Sequence, residues 1–348
     1  MRVMYLIKNF SLGGGPRAVY YLCLSMPKVE FFIYGEKGLL ADDFKQLDNV
    51  HIYLINKWNL KSIFKIKVFY ENEKIDIIHF HSLIPAVYFI FFTNMVKIIT
   101  FHGLHIRKYD YKKNFALRFF RQITKNLLVC SFQASIVLCL EDKIYLQRLL
   151  WCKKNLEIIP NAFCLSKVEK NTEIKLDRSY LNLIMVARYD FQKGYDLLLE
   201  MLEKHEVHIN KLRIYFIGNI KVDKLLRQYG DLYNKVLFYL GETTEPYGYI
   251  QRVDYLVLPS RWEGLPMVVL EALAVGTKVI AADTANINSM ADNRNIFIYK
   301  QSDSKDFNRI IKKCVKYKYN KVNFDLSPYT LQNVGDKTFA LYQKLRNR

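Results

Sequence analysis

The chain has 348 residues, more than one ordinary domain holds and suited to two of about 150–180 each. Apolar residues make up 51% of it, ample for two cores, and 52 Lys+Arg against 33 Asp+Glu leave a net charge of +19. That excess points to an anionic partner: nucleic acid, a phosphorylated substrate or an anionic membrane. The longest uncharged runs, Ser82–Val96 and Asn126–Leu140, fall short of the ~18 residues a spanning helix needs. No secretory signal precedes the first strand pattern. The six cysteines, Cys23, Cys130, Cys139, Cys152, Cys164 and Cys314, show no C-x-x-C spacing. They read as reduced, mostly buried thiols of a cytosolic protein.

In chain order, Arg2–Ile7 reads as a strand, followed at once by Ser11-Leu-Gly-Gly-Gly-Pro-Arg17 and a helix over Pro16–Ser25. Three glycines between a strand and a helix N-terminus let backbone N–H groups approach a phosphate, with the helix dipole favouring the anion. Further strands are expected at Glu30–Tyr34, His51–Ile55, Ile75–Phe80 and Lys97–Phe101, with helices between, which argues for a doubly wound α/β domain. His79 and His81 share a strand face, so a zinc site is conceivable, but no cysteine or acidic cluster completes it and no metal is expected. Ala134–Leu140 and Leu156–Pro160 close this first domain. The polar stretch Lys167–Arg178 is the best boundary in the chain.

A second run of strands starts at Leu181–Ala187. Arg188 and Lys193-Gly194 follow it, then a helix over Tyr195–Lys204 and a strand at Leu212–Ile217. Two cations five residues apart at a strand's carboxyl end suit a diphosphate, although a solvated loop would carry them too. Val253–Leu258 and Lys278–Ala282 read as buried parallel strands flanking a helix from Pro266 to the turn at Gly276. That helix is apolar on every side except at Glu271, so a buried carboxylate must find hydrogen-bond partners there. Glu271 lies roughly 7.5 Å down the axis from Pro266 and can lean back toward the loop that holds Glu263. After Asn295–Tyr299 the chain ends in two helices, the last over Tyr329–Leu345.

Glu263-Gly-Leu-Pro-(four residues)-Glu271 resembles the E-x7-E motif of retaining glycosyltransferases of family 4, which have the GT-B fold. The resemblance implies two Rossmann-like doubly wound domains facing a central cleft: residues 1–165 on the acceptor side, 166–328 binding the nucleotide sugar, and a helix over 329–348 crossing back. It implies that Glu271 holds the donor ribose, that Glu263 lies beside the transferred sugar, and that the backbone of Gly264, Leu265 and Pro266 faces sugar hydroxyls. Arg188 and Lys193 match the family's R-x(4)-K-G, whose cations bind the diphosphate. Gly14 and Gly15 match its GG loop, which also faces the diphosphate. Thr100-Phe-His102-Gly103 matches its T-x-H-G, which makes His102 a site residue, while His79 and His81 fall to structural or acceptor-side roles. Ile159-Pro-Asn161-Ala162 resembles its P-N-G linker, with alanine for glycine. Two departures, at Gly218-Asn-Ile and at Gly241–Pro246, leave the base open between uridine and guanosine, with UDP favoured.

The implied chemistry is transfer of a sugar from a nucleoside-diphosphate donor to an acceptor hydroxyl with retention at the anomeric carbon. Cations and backbone N–H groups would stabilise the departing diphosphate. No D-x-D occurs in the chain, so a divalent ion is not expected, nor is a separate cofactor. A sugar-nucleotide epimerase of the same architecture and a basic nucleic-acid-binding protein are the alternatives. The first does not call for the Glu263–Glu271 pattern, and for the second no recognition helix or zinc-finger spacing is present. Two basic, aromatic segments remain: Arg107–Lys125, and Lys57, Lys61, Lys65 and Lys67 with Trp58 and Phe64. Their pattern suits an anionic cytoplasmic leaflet. The protein is therefore expected to be cytoplasmic, peripheral on the inner face of the cell membrane, with a saccharide or lipid-linked saccharide acceptor.

Overall fold

A computed structural model describes residues 1–103, 115–149, 155–165, 174–204, 211–220, 230, 235–243, 245–292, 294–316 and 323–347. The chain divides into two compact units, Met1–Cys164 with Ser327–Arg348, and Leu165–Leu326. Each is built on one parallel sheet.

The first unit holds seven strands: β1 (Arg2–Asn9), β2 (Glu30–Glu36), β3 (Val50–Ile55), β4 (Ile77–Phe80), β5 (Lys97–Phe101), β6 (Ala134–Val137) and β7 (Leu156–Ile158). Their order is β3-β2-β1-β4-β5-β6-β7, with every neighbouring pair parallel. The central strands β1, β4 and β5 are apolar and buried over nearly their whole length, whereas edge strand β3 alternates between covered and exposed residues. That is the pattern of a sheet covered by helices on both faces. The helices Leu60–Asn72, Leu83–Tyr88 and Phe115–Ser131 pack on one face, contributing Ile63, Ile66, Ala86, Leu128 and Val129 to one core cluster.

The first helix, Gly14–Ser25, packs against the C-terminal helix, Leu331–Arg346. Their contact is close because Gly335 stands opposite the Ser25 carbonyl: a Cβ at this position would meet that oxygen at 2.8 Å. The C-terminal helix also reaches into the sheet. The Tyr342 hydroxyl lies 2.9 Å from that of Tyr5 on β1 and 2.6 Å from Nδ1 of His79 on β4.

The second unit has six strands: β8 (Leu181–Val186), β9 (Leu212–Ile217), β10 (Leu237–Tyr239), β11 (Tyr255–Leu258), β12 (Lys278–Ala282) and β13 (Ile296–Tyr299). Their order is β10-β9-β8-β11-β12-β13, again all parallel. Leu183, Met185, Phe216 and Val257 pack with Leu198, Leu202, Ile310 and Ile311 of the covering helices. Two parallel-sheet, Rossmann-like units are thus what the alternating pattern anticipates.

Some boundaries differ from the expected ones for local reasons. The first helix begins at Gly14, so Gly14 and Gly15 sit inside its first turn. β6 stops at Val137 because Cys139 starts the next helix, its carbonyl accepting from Lys143 N and its sulfur from Asp142 N. β4 starts only at Ile77, since Ile75 N still bonds back to Tyr70 O of the preceding helix. Pro266 caps the Met267–Ala274 helix from an extended conformation instead of forming its first residue. The edge strand β10 and the short helix Tyr247–Ile250 have too few residues to show a period. Of the basic segment read from sequence, Arg107, Lys108, Lys112 and Lys113 lie outside the described residues, as do Cys152 and residues 166–173 of the polar boundary. The five described cysteines are free thiols, with Cys23, Cys139 and Cys314 buried.

The Gly335 contact gives a direct test. Gly335→Leu should lower stability by about 1–3 kcal/mol in denaturant unfolding, through overpacking of the two helices. Gly15→Ala, whose Cβ would meet nothing within 4 Å, should stay within about 0.5 kcal/mol of wild type.

Candidate active site

In an open parallel sheet, ligands bind outside the carboxyl ends of the strands, where the strand order reverses. In the second unit that point lies between β8 and β11, and the loops leaving these two strands carry most of the residues singled out from sequence. β8 leads to Arg188, which is exposed, and then to a short 3-10 turn, Phe191–Lys193. Asp190 caps the turn by accepting from Gln192 N at 2.8 Å. Gly194 ends it in the left-handed region (φ 69), and a Cβ there would collide with the Pro259 carbonyl at 2.1 Å. Glycine is therefore required twice over, and it brings Lys193 onto the loop after β11.

Lys193 Nζ donates to Glu263 Oε1 at 2.7 Å, and Ser260 Oγ donates to the same oxygen at 2.6 Å. Glu263 is buried, while Lys193 keeps part of its side chain exposed. The neighbouring Arg261 turns away. It makes two bonds to Asp196, at 2.8 and 2.6 Å, and lies 3.8 Å over the Phe191 ring. Burial alone would push the Asp196 carboxyl up, but the Arg261 hydrogen bonds and charge outweigh it and hold the carboxyl below its ordinary range.

The loop itself is tied down by three side-chain amides. Gln301 Nε2 donates to the carbonyls of Ser260 (3.0 Å) and Arg261 (2.9 Å). Gln192 Nε2 donates to that of Trp262 (2.9 Å), and Asn286 Nδ2 to those of Glu263 (2.9 Å) and Gly264 (2.7 Å). Five consecutive carbonyls are thereby satisfied. Gly264, Leu265 and Pro266 are buried in this loop, and the helix after it buries Glu271 together with Val269, Leu270 and Ala272.

In the first unit the strand order reverses between β1 and β4. The loop after β1 leads into Gly14 and Gly15. The preceding Gly13 is extended, and a Cβ at Gly13 or Gly15 would meet no protein atom within 4 Å. Packing does not demand these glycines, and the space beside the helix N-terminus is open to a ligand.

β4 and β5 end in three histidines. His102 Nε2 lies 2.9 Å from His81 Nδ1, and the rings of His79 and His81 lie with centroids 4.1 Å apart and planes tilted by 33°. His79 is spent within the fold, with Nδ1 on Tyr342 and Nε2 2.7 Å from Thr100 Oγ1. Burial, reinforced by the neighbouring rings, holds His79 and His81 well below the ordinary histidine range, so both are neutral at neutral pH. Among the described residues no three histidine, cysteine or acidic side chains gather as metal ligands would.

Two family models tile the chain: Glycosyltransferase Family 4 matches residues 13–167, and Glycosyl transferases group 1 matches residues 167–325. The chain is also similar in structure to Anabaena Alr3699/HepE, solved in complex with UDP, with a TM-score of 0.78 over 99% of this chain and 100% of that one, at 14% identity. It belongs to the GT-B glycosyltransferases. Among its relatives is the capsular polysaccharide biosynthesis glycosyltransferase CapH of Staphylococcus aureus, 26% identical over 301 residues, 78% of each chain. Another is the UDP-Gal:alpha-D-GlcNAc-diphosphoundecaprenol alpha-1,3-galactosyltransferase of Escherichia coli, 24% identical over 253 residues, 68% of this chain and 65% of that one.

Within this glycosyltransferase the fold brings Lys193 and Glu263 into one ion pair and sets Arg188 on the adjoining loop. His102 and the Gly14–Gly15 turn stand in the other unit. Sequence reasoning missed the amides Gln192, Asn286 and Gln301, and Ser260; only the position of Gln192 beside the Lys193-Gly194 pair offered a signal. The clamp predicts that Asn286→Ala, which strands two carbonyls, loses about 1–3 kcal/mol in thermal unfolding. Asn286→Asp should lose more, because a carboxylate cannot donate to them, and Gln192→Ala less, because it strands one.

Proposed function

We propose that the chain is a retaining hexosyltransferase that uses a nucleoside-diphosphate sugar, a UDP-sugar in preference to a GDP-sugar. Its acceptor is a hydroxyl of a lipid-linked saccharide or of a growing surface polysaccharide such as capsule or lipopolysaccharide. The observation that carries the reading is the Lys193–Glu263 pair on a clamped loop at the switch point of the second sheet. Relatives named for capsule synthesis and for a diphosphoundecaprenol-linked sugar support the acceptor class.

In this reading the bond between the anomeric carbon and the diphosphate oxygen breaks as the acceptor oxygen bonds to the same face of the sugar. The acceptor's proton passes to the leaving phosphate. Negative charge grows on the diphosphate, and cations fixed beforehand stabilise it without reorganising. Arg188, exposed on its loop, and Lys193 take that role. To reach phosphate, Lys193 shares or gives up its bond to Glu263, which ties donor binding to the state of that carboxylate. Glu263 then lies beside the transferred sugar, Glu271 holds the ribose hydroxyls, and the backbone at Gly264–Pro266 meets sugar hydroxyls. Gly14 and Gly15 offer N–H groups to an anion, and His102 serves the donor's sugar and phosphate. With no D-x-D in the chain, these groups replace a divalent ion.

Ligand-induced stabilisation tests the donor. UDP at a hundred times its Kd should add about 2.7 kcal/mol, with smaller gains from GDP, ADP and CMP at the same concentration. Glu271→Ala should lose affinity for bare UDP. Glu263→Ala should keep it, because Lys193 is freed for phosphate, yet lose turnover. Equal loss of UDP affinity in both variants would sink this division of roles.

Removing Arg188 or Lys193 should lower turnover by about 10²-fold or more, and activity should survive exhaustive EDTA. Activity abolished by EDTA and restored by Mg²⁺ or Mn²⁺ refutes the metal-free mechanism.

A further inference from the structure

The helices Leu60–Asn72, Leu83–Tyr88 and Phe115–Ser131 bury one side against the first sheet, in a shared core cluster. Their other sides therefore face outward from one layer. On the first of them Leu60, Phe64 and Val68 recur every four residues and form one outward stripe; Leu60 is 76% exposed and Phe64 66%. Ile84 and Val87 continue it on the second helix. Phe91 follows at 87% exposure, and the third helix adds Phe119 and Phe120, the latter 68% exposed. Among the described residues, every exposed phenylalanine except Phe191 lies in this layer. Exposed apolar side chains concentrated in this way mark a surface that something covers.

The charge around them is mainly positive; the first helix carries one acid, Glu71, three residues past Val68 and paired with Lys67 at 3.1 Å. Residues 57–70, 82–97 and 115–133 contain no aspartate or glutamate. Lys57, Lys61 and Lys65 stand exposed beside the Leu60–Phe64 stripe. We propose that this three-helix face docks the protein on a bilayer containing anionic lipid, with the lysines on headgroups and the phenylalanines and aliphatic residues in the interface. The proposal deepens the reading of a lipid-linked acceptor and rests on it for its purpose, but its chemistry stands on these side chains alone. A second copy of the chain would set like charges against each other. A nucleic acid could stack on the phenylalanines, but Leu60, Val68, Ile84 and Val87 among them offer it neither a charge nor a stacking face. A bilayer interface needs neither a groove nor a complementary shape.

Sedimentation of the full chain with vesicles tests it, using phosphatidylcholine alone and equal parts phosphatidylcholine and phosphatidylglycerol, each at low and high salt. Binding should need phosphatidylglycerol and fade with salt. Replacing Lys57, Lys61 and Lys65 by Ser should weaken partitioning by roughly 10²-fold. Leu60→Ser, Phe64→Ser and Phe91→Ser together should weaken it at unchanged charge. Both triple variants should keep the wild-type melting temperature and UDP-induced stabilisation, so failure of docking and failure of the donor reading are separately visible. Three outcomes overturn the proposal: no binding to the anionic vesicles at low salt, binding that neither triple variant reduces, and a dimer that the Leu60, Phe64 and Phe91 changes dissolve.

Discussion

Backbone carbonyls turned into a protein must find donors, and at the loop after β11 five in succession have to do so outside any helix or sheet. Water is the usual answer on a surface loop. Here Gln301, Gln192 and Asn286 supply the donors instead. Because each peptide is planar and trans, fixing its carbonyl also fixes the N–H that points the other way. The loop's donors are thus set before any ligand arrives, which is the condition under which dipoles stabilise a developing charge without reorganisation. The other features of this site lean on that loop. Gly194 packs against its first carbonyl, Lys193 and Ser260 fix Glu263 within it, and Pro266 ends it as the cap of a buried helix.

The two units manage charge differently. In the second, three cations crowd the switch point and each has a distinct standing: Arg261 is consumed by Asp196, Lys193 is shared with Glu263, and Arg188 stands exposed. In the first, the strand ends carry histidines that burial keeps neutral. A hydrogen bond between His81 Nδ1 and His102 Nε2 needs a proton on one of these nitrogens and none on the other, so the tautomers of the two rings are coupled. One unit deals in fixed charge and the other in hydrogen-bond polarity.

Much of the architecture is legible in the sequence because parallel strands covered on both faces are unbroken β-branched runs. Lys97–Phe101, Leu212–Ile217 and Lys278–Ala282 have the expected limits to the residue. The helix Met267–Ala274 announces its burial by carrying a single charge. What sequence does not show is the work of ordinary amides. Asn286 and Gln301 lie far along the chain from the loop they hold, and nothing in their spacing separates them from surface residues. His79 is another case. Its shared strand face with His81 admits a metal, but its partner is a tyrosine 263 positions away, and long-range pairing of this kind leaves no local trace.

That same pairing bears on the order in which the molecule is made. The first unit is discontinuous: its sheet comes from Met1–Cys164, and the helix that completes it from Ser327–Arg348. A chain emerging from the ribosome presents the whole of Leu165–Leu326 before Tyr342 can reach Tyr5 and His79 or Gly335 can seat on Ser25. The second unit is continuous and can close on itself during synthesis, as domains generally do. The first waits for the last residues, with Tyr5, His79 and the inner side of the first helix uncovered in the interval. Its contacts of greatest sequence separation form last and carry the largest loop-closure cost. The unit translated first is thus the one whose folding finishes second.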